Sequence, residues 1–271
     1  AALHLSLQAA GIGPGDEVLV QSLTYVASIQ AISAVGAKPV FCDVDLKTIT
    51  VNVDELKRNL TTKTKAIMPV HYAGSVGELS EIYKFAYEYN LKVIEDAAHA
   101  FGSYYQGKKV GSFGDITCFS FDGIKNITSG EGGCVISDDY DFIEKVKDLR
   151  LLGVEKDSEK RYLGKRSYEF DVSEQGWRYH MSDLMAAIGI AQLSRFKSFQ
   201  EKRKKLVLYY KKFIEEYSLA ELFEFEYDQI FMHIFPIIIR KDLNRDMIRK
   251  SLLKVGISTG IHYFPNHFLS F

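Results

Sequence analysis

An α/β fold, with a mostly parallel central sheet covered by helices on both faces, is predicted by three features of the sequence. Short apolar runs alternate with longer amphipathic ones through the first half of the chain. Glycines and other turn-forming residues bound these runs. No internal repeat breaks the alternation, so successive strands are expected to be joined by helical crossovers and to lie parallel.

Taken in order, residues 1–10 are helix formers with apolar spacing, and Gly11 stands where a glycine ends a helix. A chain that opens inside a helix, with no capping residue before it, is expected to be cut at that end. Residues 17–20 are read as a strand, 25–35 as a helix ended by Gly36, and 39–42 as a strand. A short helix at 54–60 precedes the apolar strand 66–70. An amphipathic helix at 78–89 leads to the strand 92–95. Two further strands, 116–121 and 134–137, flank a glycine-rich turn, and 140–151 is the next helix. The charged stretch 155–166 reads as a mobile loop near the site or at a dimer contact. Ser182 and Asp183 can cap a long helix over 184–217, whose run Lys202, Arg203, Lys204 and Lys205 is a solvated face. A strand over 232–239 and a helix over 244–255 read as the start of a smaller α+β domain. The division is therefore 1–195 for a large domain and 196–271 for a small one.

Composition excludes several classes. A chain of 271 residues with 46% hydrophobic content can bury a large core, and its net charge of −1 gives no reason to expect nucleic acid. Cys42, Cys118 and Cys134 lack CxxC or metal-ligand spacing, and an odd count argues against a disulfide framework, so a reducing, cytoplasmic setting is expected. No apolar run approaches the ~20 residues of a membrane span, and no signal peptide is visible. The seven histidines show no zinc-ligand spacing, so no metal is expected. Gly11 to Asp16 fails the dinucleotide pattern at its sixth position, where Asp16 replaces glycine.

The chemistry is concentrated in two stretches. In the first, Lys125 lies among small and turn-forming residues between two apolar strands, where packing can disfavour the ammonium form and leave a nucleophilic amine. In the second, Asp96 ends a short apolar strand and is followed by Ala97 and Ala98, at the sheet edge where ligands of open α/β folds gather. A lone turn lysine is ordinarily a solvated surface residue, and Asp96 could simply cap a turn. Together they match what pyridoxal phosphate (PLP) requires: a lysine for a Schiff base and an acid at the pyridine nitrogen.

Four motifs carry a resemblance across nearly the whole chain. They are the run from Ser120 to Gly133, the run from Glu95 to Ala100, the pair of segments Gly13 to Val18 and Thr24 to Ser28, and the run from Pro69 to Gly74. With these the chain resembles the DegT/StrS family of PLP-dependent sugar aminotransferases. The resemblance implies fold type I and a homodimer with composite active sites. The amino donor would be L-glutamate, and the acceptor a nucleotide-diphosphate ketosugar of polysaccharide, lipopolysaccharide or glycoside biosynthesis. By the same resemblance Lys125 binds the cofactor and shuttles a proton, Asp96 pairs with the pyridine nitrogen, and His99 lies near the phenolic oxygen. Ser120 would bind the phosphate and Tyr25 would stack on the ring. His71 matches a position near the site, without an assigned role. The family's phosphate loop would come immediately before the first helix, and the family continues past a segment like His262 to Pro265, so both ends are expected to be missing.

One segment departs from the family pattern. Where relatives commonly read Gly-Tyr-Asn-Tyr-Arg-Met, this chain has Gly176, Trp177, Arg178, Tyr179, His180 and Met181. Arg178 is expected to replace the Asn that reaches the neighbouring subunit's phosphate, as a charged ligand. Two alternatives stay open: a sugar dehydratase, which would carry His in place of Lys125, and a non-catalytic binding protein of the same fold.

Overall fold

The computed structural model describes residues 1–270 apart from 157–159, 161–162 and 166–169. Its centre is a six-stranded sheet formed by β1 (Glu17–Gln21), β2 (Lys38–Cys42), β3 (Thr64–Met68), β4 (Lys92–Asp96), β7 (Ile116–Ser120) and β8 (Gly133–Ile136), in the order β2-β1-β3-β4-β7-β8. All neighbours pair parallel except β7 and β8, which the glycine-rich turn makes antiparallel. A two-stranded hairpin of β5 (Tyr104–Tyr105) and β6 (Lys108–Lys109) stands apart.

Helical crossovers force the parallel pairing. The helices are α1 (Ala2–Ala9), α2 (Val26–Ala34), α3 (Val53–Asn59), α4 (Leu79–Glu88) and α5 (Tyr140–Leu149). On one face Val18, Val20, Ala66, Met68 and Ile94 pack against α1 and α2. The residues between them, Leu19, Ile67 and Val93, pack against α3 and α4 on the other. This is the period-two alternation of strands buried on both sides. The helix ends follow local chemistry. Asn52 accepts a hydrogen bond from the Glu55 amide to cap α3, and Asp139 accepts one from Phe142 to cap α5. After α1, Gly11 takes φ +76° while the Ile12 amide donates to the Leu7 carbonyl, a left-handed turn that glycine permits at little cost.

The strand order reverses direction of growth at β1. The chain passes outward to β2 and then back across β1 to β3, which leaves a crevice beyond the carboxyl ends of the strands. Residues 22–28, 69–74, 96–103 and 121–132 all emerge at that edge.

Two expectations needed correction. The single long helix is broken into α6 (Asp183–Ser194) and α7 (Phe196–Tyr217), because at Arg195 the amide donates to Gln192, three residues back, instead of continuing the α-helical ladder. Its cap is as expected, with Ser182 Oγ accepting from the Met185 amide. No residue of α6 is buried, although Leu184, Ile188, Ile190 and Leu193 lie on it. The strand over 232–239 does not form; only Ile238 makes an isolated bridge, to Glu221. Side chains and a turn take its hydrogen bonds instead. Ser103 Oγ accepts from the Phe231 amide, Arg203 donates to the carbonyls of Met232 and His233, and the Ala73 carbonyl accepts from the His233 amide. A helix near 244–255 is present as α8 (Arg245–Lys254). The loop expected at 155–166 falls in part outside the described residues.

Ile94 lies fully buried on the central strand β4. Ile94→Ala is expected to lower the unfolding free energy by about 3 kcal/mol, read as a shifted guanidinium midpoint.

Candidate active site

Asp96 is the last residue of β4 and is almost fully buried. Strand parity turns its carboxylate toward α2, where Ser28 Oγ donates to Oδ2 at 2.7 Å and the Ala98 amide donates to Oδ1 at 3.1 Å. The carboxylate is thus held by one hydroxyl and one backbone amide, in an orientation set by β4 and the first turn of α2.

Lys125 reaches the same edge from the turn between β7 and β8. Asp122 shapes this turn, its carbonyl accepting from the Lys125 amide and its carboxylate from the Ile124 amide. Asn126 pins it from below, its Nδ2 donating to the carbonyls of His99, Phe101 and Phe231. The Lys125 side chain is half-buried. Burial draws its pKa below the ordinary lysine value, while the Asp96 and Asp122 carboxylates pull the other way. The amine is therefore easier to deprotonate than a surface lysine and lies within the field of Asp96.

His99 follows three residues after Asp96 and is buried. Its Nδ1 accepts from the Ala73 amide at 3.3 Å, and its Nε2 lies 3.3 Å from the Tyr263 hydroxyl. The ring packs 4.4 Å from that of His233, centroid to centroid. Burial pushes the pKa of His99 down to about 2, helped by His233, Lys125 and His262. Burial likewise pushes His233 down to about 3, with Lys125, Arg203 and His262 adding to the effect. Both imidazoles are neutral in the folded chain at neutral pH.

The other expected residues are less closely joined to this centre. Tyr25 is 57% exposed, with its ring 5.8 Å from that of Tyr263. Ser120 ends β7 on the face shared with Cys118, whose Sγ lies 3.2 Å from Ser6 Oγ of α1, and it accepts weakly from the Asp122 amide. Arg178 is exposed and makes no side-chain hydrogen bond or ion pair among the described residues. Its neighbours Trp177 and Tyr179 fix the segment to α1, through Gln8 Oε1 and His4 Nδ1 respectively. His71 points away from Asp96, and its Nε2 donates to Glu95 on the opposite face of β4.

Sequence reasoning missed His233 and did not connect His262 or Tyr263 to the site. His233 lay in a segment read as a strand, where only the histidine itself hinted at a site. Tyr263 and His262 occur together near the chain's end, but their approach depends on long-range packing, including a hydrogen bond from the Tyr72 hydroxyl to the His262 carbonyl. Among the described residues no cluster of three or more His, Cys, Asp or Glu could hold a metal ion.

With this geometry in place, comparisons with known proteins converge. The chain matches the sequence model of the DegT/DnrJ/EryC1/StrS aminotransferase family over residues 1–271. An uncharacterised protein of Methanocaldococcus jannaschii, MJ1066, is 42% identical over 271 residues, covering 98% of this chain and 70% of that protein. Spr1654 of Streptococcus pneumoniae in its PLP form has a TM-score of 0.87 at 30% identity, over 99% of this chain and 72% of that one. It has also been solved in a PMP form. The sugar aminotransferase CalS13 of Micromonospora echinospora gives a TM-score of 0.87 at 28% identity, over 99% of this chain and 73% of that chain.

An unfolded histidine titrates near 6.5, so below that pH the unfolded chain binds protons that folded His99 refuses. Stability is therefore lost as pH falls below about 6.5. Denaturation curves at about pH 7 and 5 should show this loss, with His99 accounting for up to about 1.4 kcal/mol per pH unit. His99→Gln should flatten the slope.

Proposed function

The chain belongs to the DegT/DnrJ/EryC1/StrS aminotransferase family, and on that premise we propose that it transfers an amino group from L-glutamate to a keto group of a nucleotide-linked deoxysugar. Its cofactor is PLP, as in this family. The observation that carries the reading is the Lys125 amine, half-buried, depressed in pKa and within the field of the Asp96 carboxylate.

The residues present fit the cofactor. Asp96 is an acid at the carboxyl edge of the sheet, available to a protonated ring nitrogen. His233 Nδ1 is buried without a hydrogen-bond partner, a polar atom left over beside the amine. The N-terminus of α1 and the Ser120 hydroxyl offer donors suited to a phosphate. When bound, the cofactor acts as an electron sink and carries the amino group between donor and acceptor.

The chain's own residues do the rest. Lys125 would be the attachment point for the cofactor, and its amine, when free, would hold and move the proton at the substrate carbon. Asp96 holds positive charge on the ring nitrogen. His99 would offer a neutral imidazole to the phenolic oxygen, Tyr25 would supply an aromatic face, and Ser120 and Arg178 would hold phosphate, with Arg178 reaching that of a partner subunit. The unburied apolar residues of α6 support a homodimer with composite sites. The division into a large domain over 1–195 and a small one over 196–271 belongs to the same reading. So does a cytoplasmic setting, supported by three free cysteines and the lack, among the described residues, of a helix long and apolar enough to cross a membrane. The aminated sugar would enter polysaccharide, lipopolysaccharide or glycoside synthesis.

Purified chain given PLP is expected to show a visible absorbance band that disappears in Lys125→Ala. A colourless wild type, or a band that survives the substitution, would sink the assignment. Initial rates with glutamate varied at several ketosugar concentrations are expected to give parallel double-reciprocal lines, whereas intersecting lines would exclude this two-stage transfer.

A further inference from the structure

Behind the site, on the face of β4 turned away from Asp96, lies a fully buried hydrogen-bonded pair, His71 and Glu95, that the transfer chemistry leaves without a task. His71 Nε2 donates to Glu95 Oε2 at 2.6 Å, and neither side chain touches solvent. Glu95 also accepts from the Tyr83 hydroxyl at 2.7 Å and from Thr117 Oγ1 at 3.1 Å. Burial would raise the pKa of Glu95, but hydrogen bonds from His71, Tyr83 and Thr117 outweigh it and hold the carboxyl below the ordinary value. A buried carboxylate with three donors is rigid, because releasing any one of them leaves charge unsatisfied.

The pair anchors a strained turn. His71 begins the segment 71–74, in which Ala73 adopts φ 58° and ψ 0°, a left-handed conformation that a residue with a Cβ keeps only when its surroundings impose it. The His71 amide donates to the Asp96 carbonyl and the Gly74 amide to the His71 carbonyl. Gly74, at φ +106°, takes a backbone conformation that L side chains rarely adopt, and a Cβ there would press on Ser103 Oγ at 3.1 Å and the Phe231 carbonyl oxygen at 3.2 Å. The strained residue makes the contact that matters, because its amide donates to His99 Nδ1. A backbone N–H can only donate, so Nδ1 must be the lone-pair nitrogen. The proton of the neutral ring is therefore on Nε2, which faces the Tyr263 hydroxyl.

We propose that the His71–Glu95 pair is a positioning device that fixes the proton of His99 on Nε2, by holding the turn whose Ala73 amide occupies Nδ1. His71 and Glu95 touch neither substrate nor cofactor in this scheme. They act through Ala73 and His99. The bearing of this on a cofactor oxygen rests on the function proposed above, but the tautomer itself does not.

The 271-residue chain labelled with 15N-histidine, studied with PLP bound and after its removal, tests this through two-bond 1H–15N correlations, which report the protonated nitrogen of each ring. Wild type is expected to give the Nε2–H pattern for His99 in both states. His71→Leu is expected to give a mixture of tautomers. His71→Gln, whose amide can still donate to Glu95, is expected to restore the wild-type pattern. Should His71→Leu fail to fold, His71→Phe, which fills the space of the ring but cannot donate to Glu95, reads the same effect. Tyr83→Phe separates positioning from stability: it should lower the unfolding midpoint and leave the His99 pattern alone. An Nδ1–H pattern in wild type, or an unchanged Nε2–H pattern in folded His71→Leu, overturns the proposal. If the expected tautomers appear in a chain that never binds PLP, the positioning device stands and the functional reading falls.

Discussion

The carboxyl end of β4 governs the site, because a strand delivers consecutive residues to opposite faces and β4 ends on two carboxylates. Asp96 turns toward α2 and receives the Ser28 hydroxyl, while Glu95 turns toward α4 and receives His71, Tyr83 and Thr117. One acid is thereby offered to the crevice and the other sealed behind it. A shift of one residue in the register of β4 would exchange them, with a lone acid facing α4 and the clamped one facing the site. Flanking pairings with β3 and β7 prevent that shift.

Around Lys125 the protein has gathered groups that stay uncharged. His99 and His233 pack ring against ring at a tilt and are neutral, and burial also draws down His262, which feels the same amine. Tyr263 has its phenol pushed up to about 12, first by burial and then by Asp96 and Tyr25. The charges that act on the amine are thus the carboxylates of Asp96 and Asp122. Such surroundings suit a group that must give and take a proton repeatedly, since no nearby imidazole competes for it at neutral pH.

The architecture was readable because it is local. The central strands and the helices through residue 149 follow from alternating apolar runs and capping residues and lie within a few residues of the pattern, while the short hairpin of β5 and β6 carries no apolar alternation and was not read. Lys125 and Asp96 drew notice through the composition of their runs, a turn between two strands and a strand end, whereas His99 entered only through the family resemblance. What could not be read is whatever arrives from far along the chain. Tyr263 meets His99 across 164 positions. His233 reaches the site only because Arg203, Ser103 and Asn126 satisfy the backbone around it, and no periodicity encodes such a strap. The apolar pattern at 232–239 was real, but burial against Ile49, Tyr72 and Val207 explains it as well as a strand would.

Helix α6 has a thermodynamic consequence of its own. Its cap is well formed and its composition apolar, yet Leu184 is 80% exposed and none of its residues is buried within the chain. The transfer free energy of those side chains can only be realised against another surface. A second surface that covered it would join the folding equilibrium by mass action, and the melting temperature would then depend on concentration, with dilution acting as a denaturant.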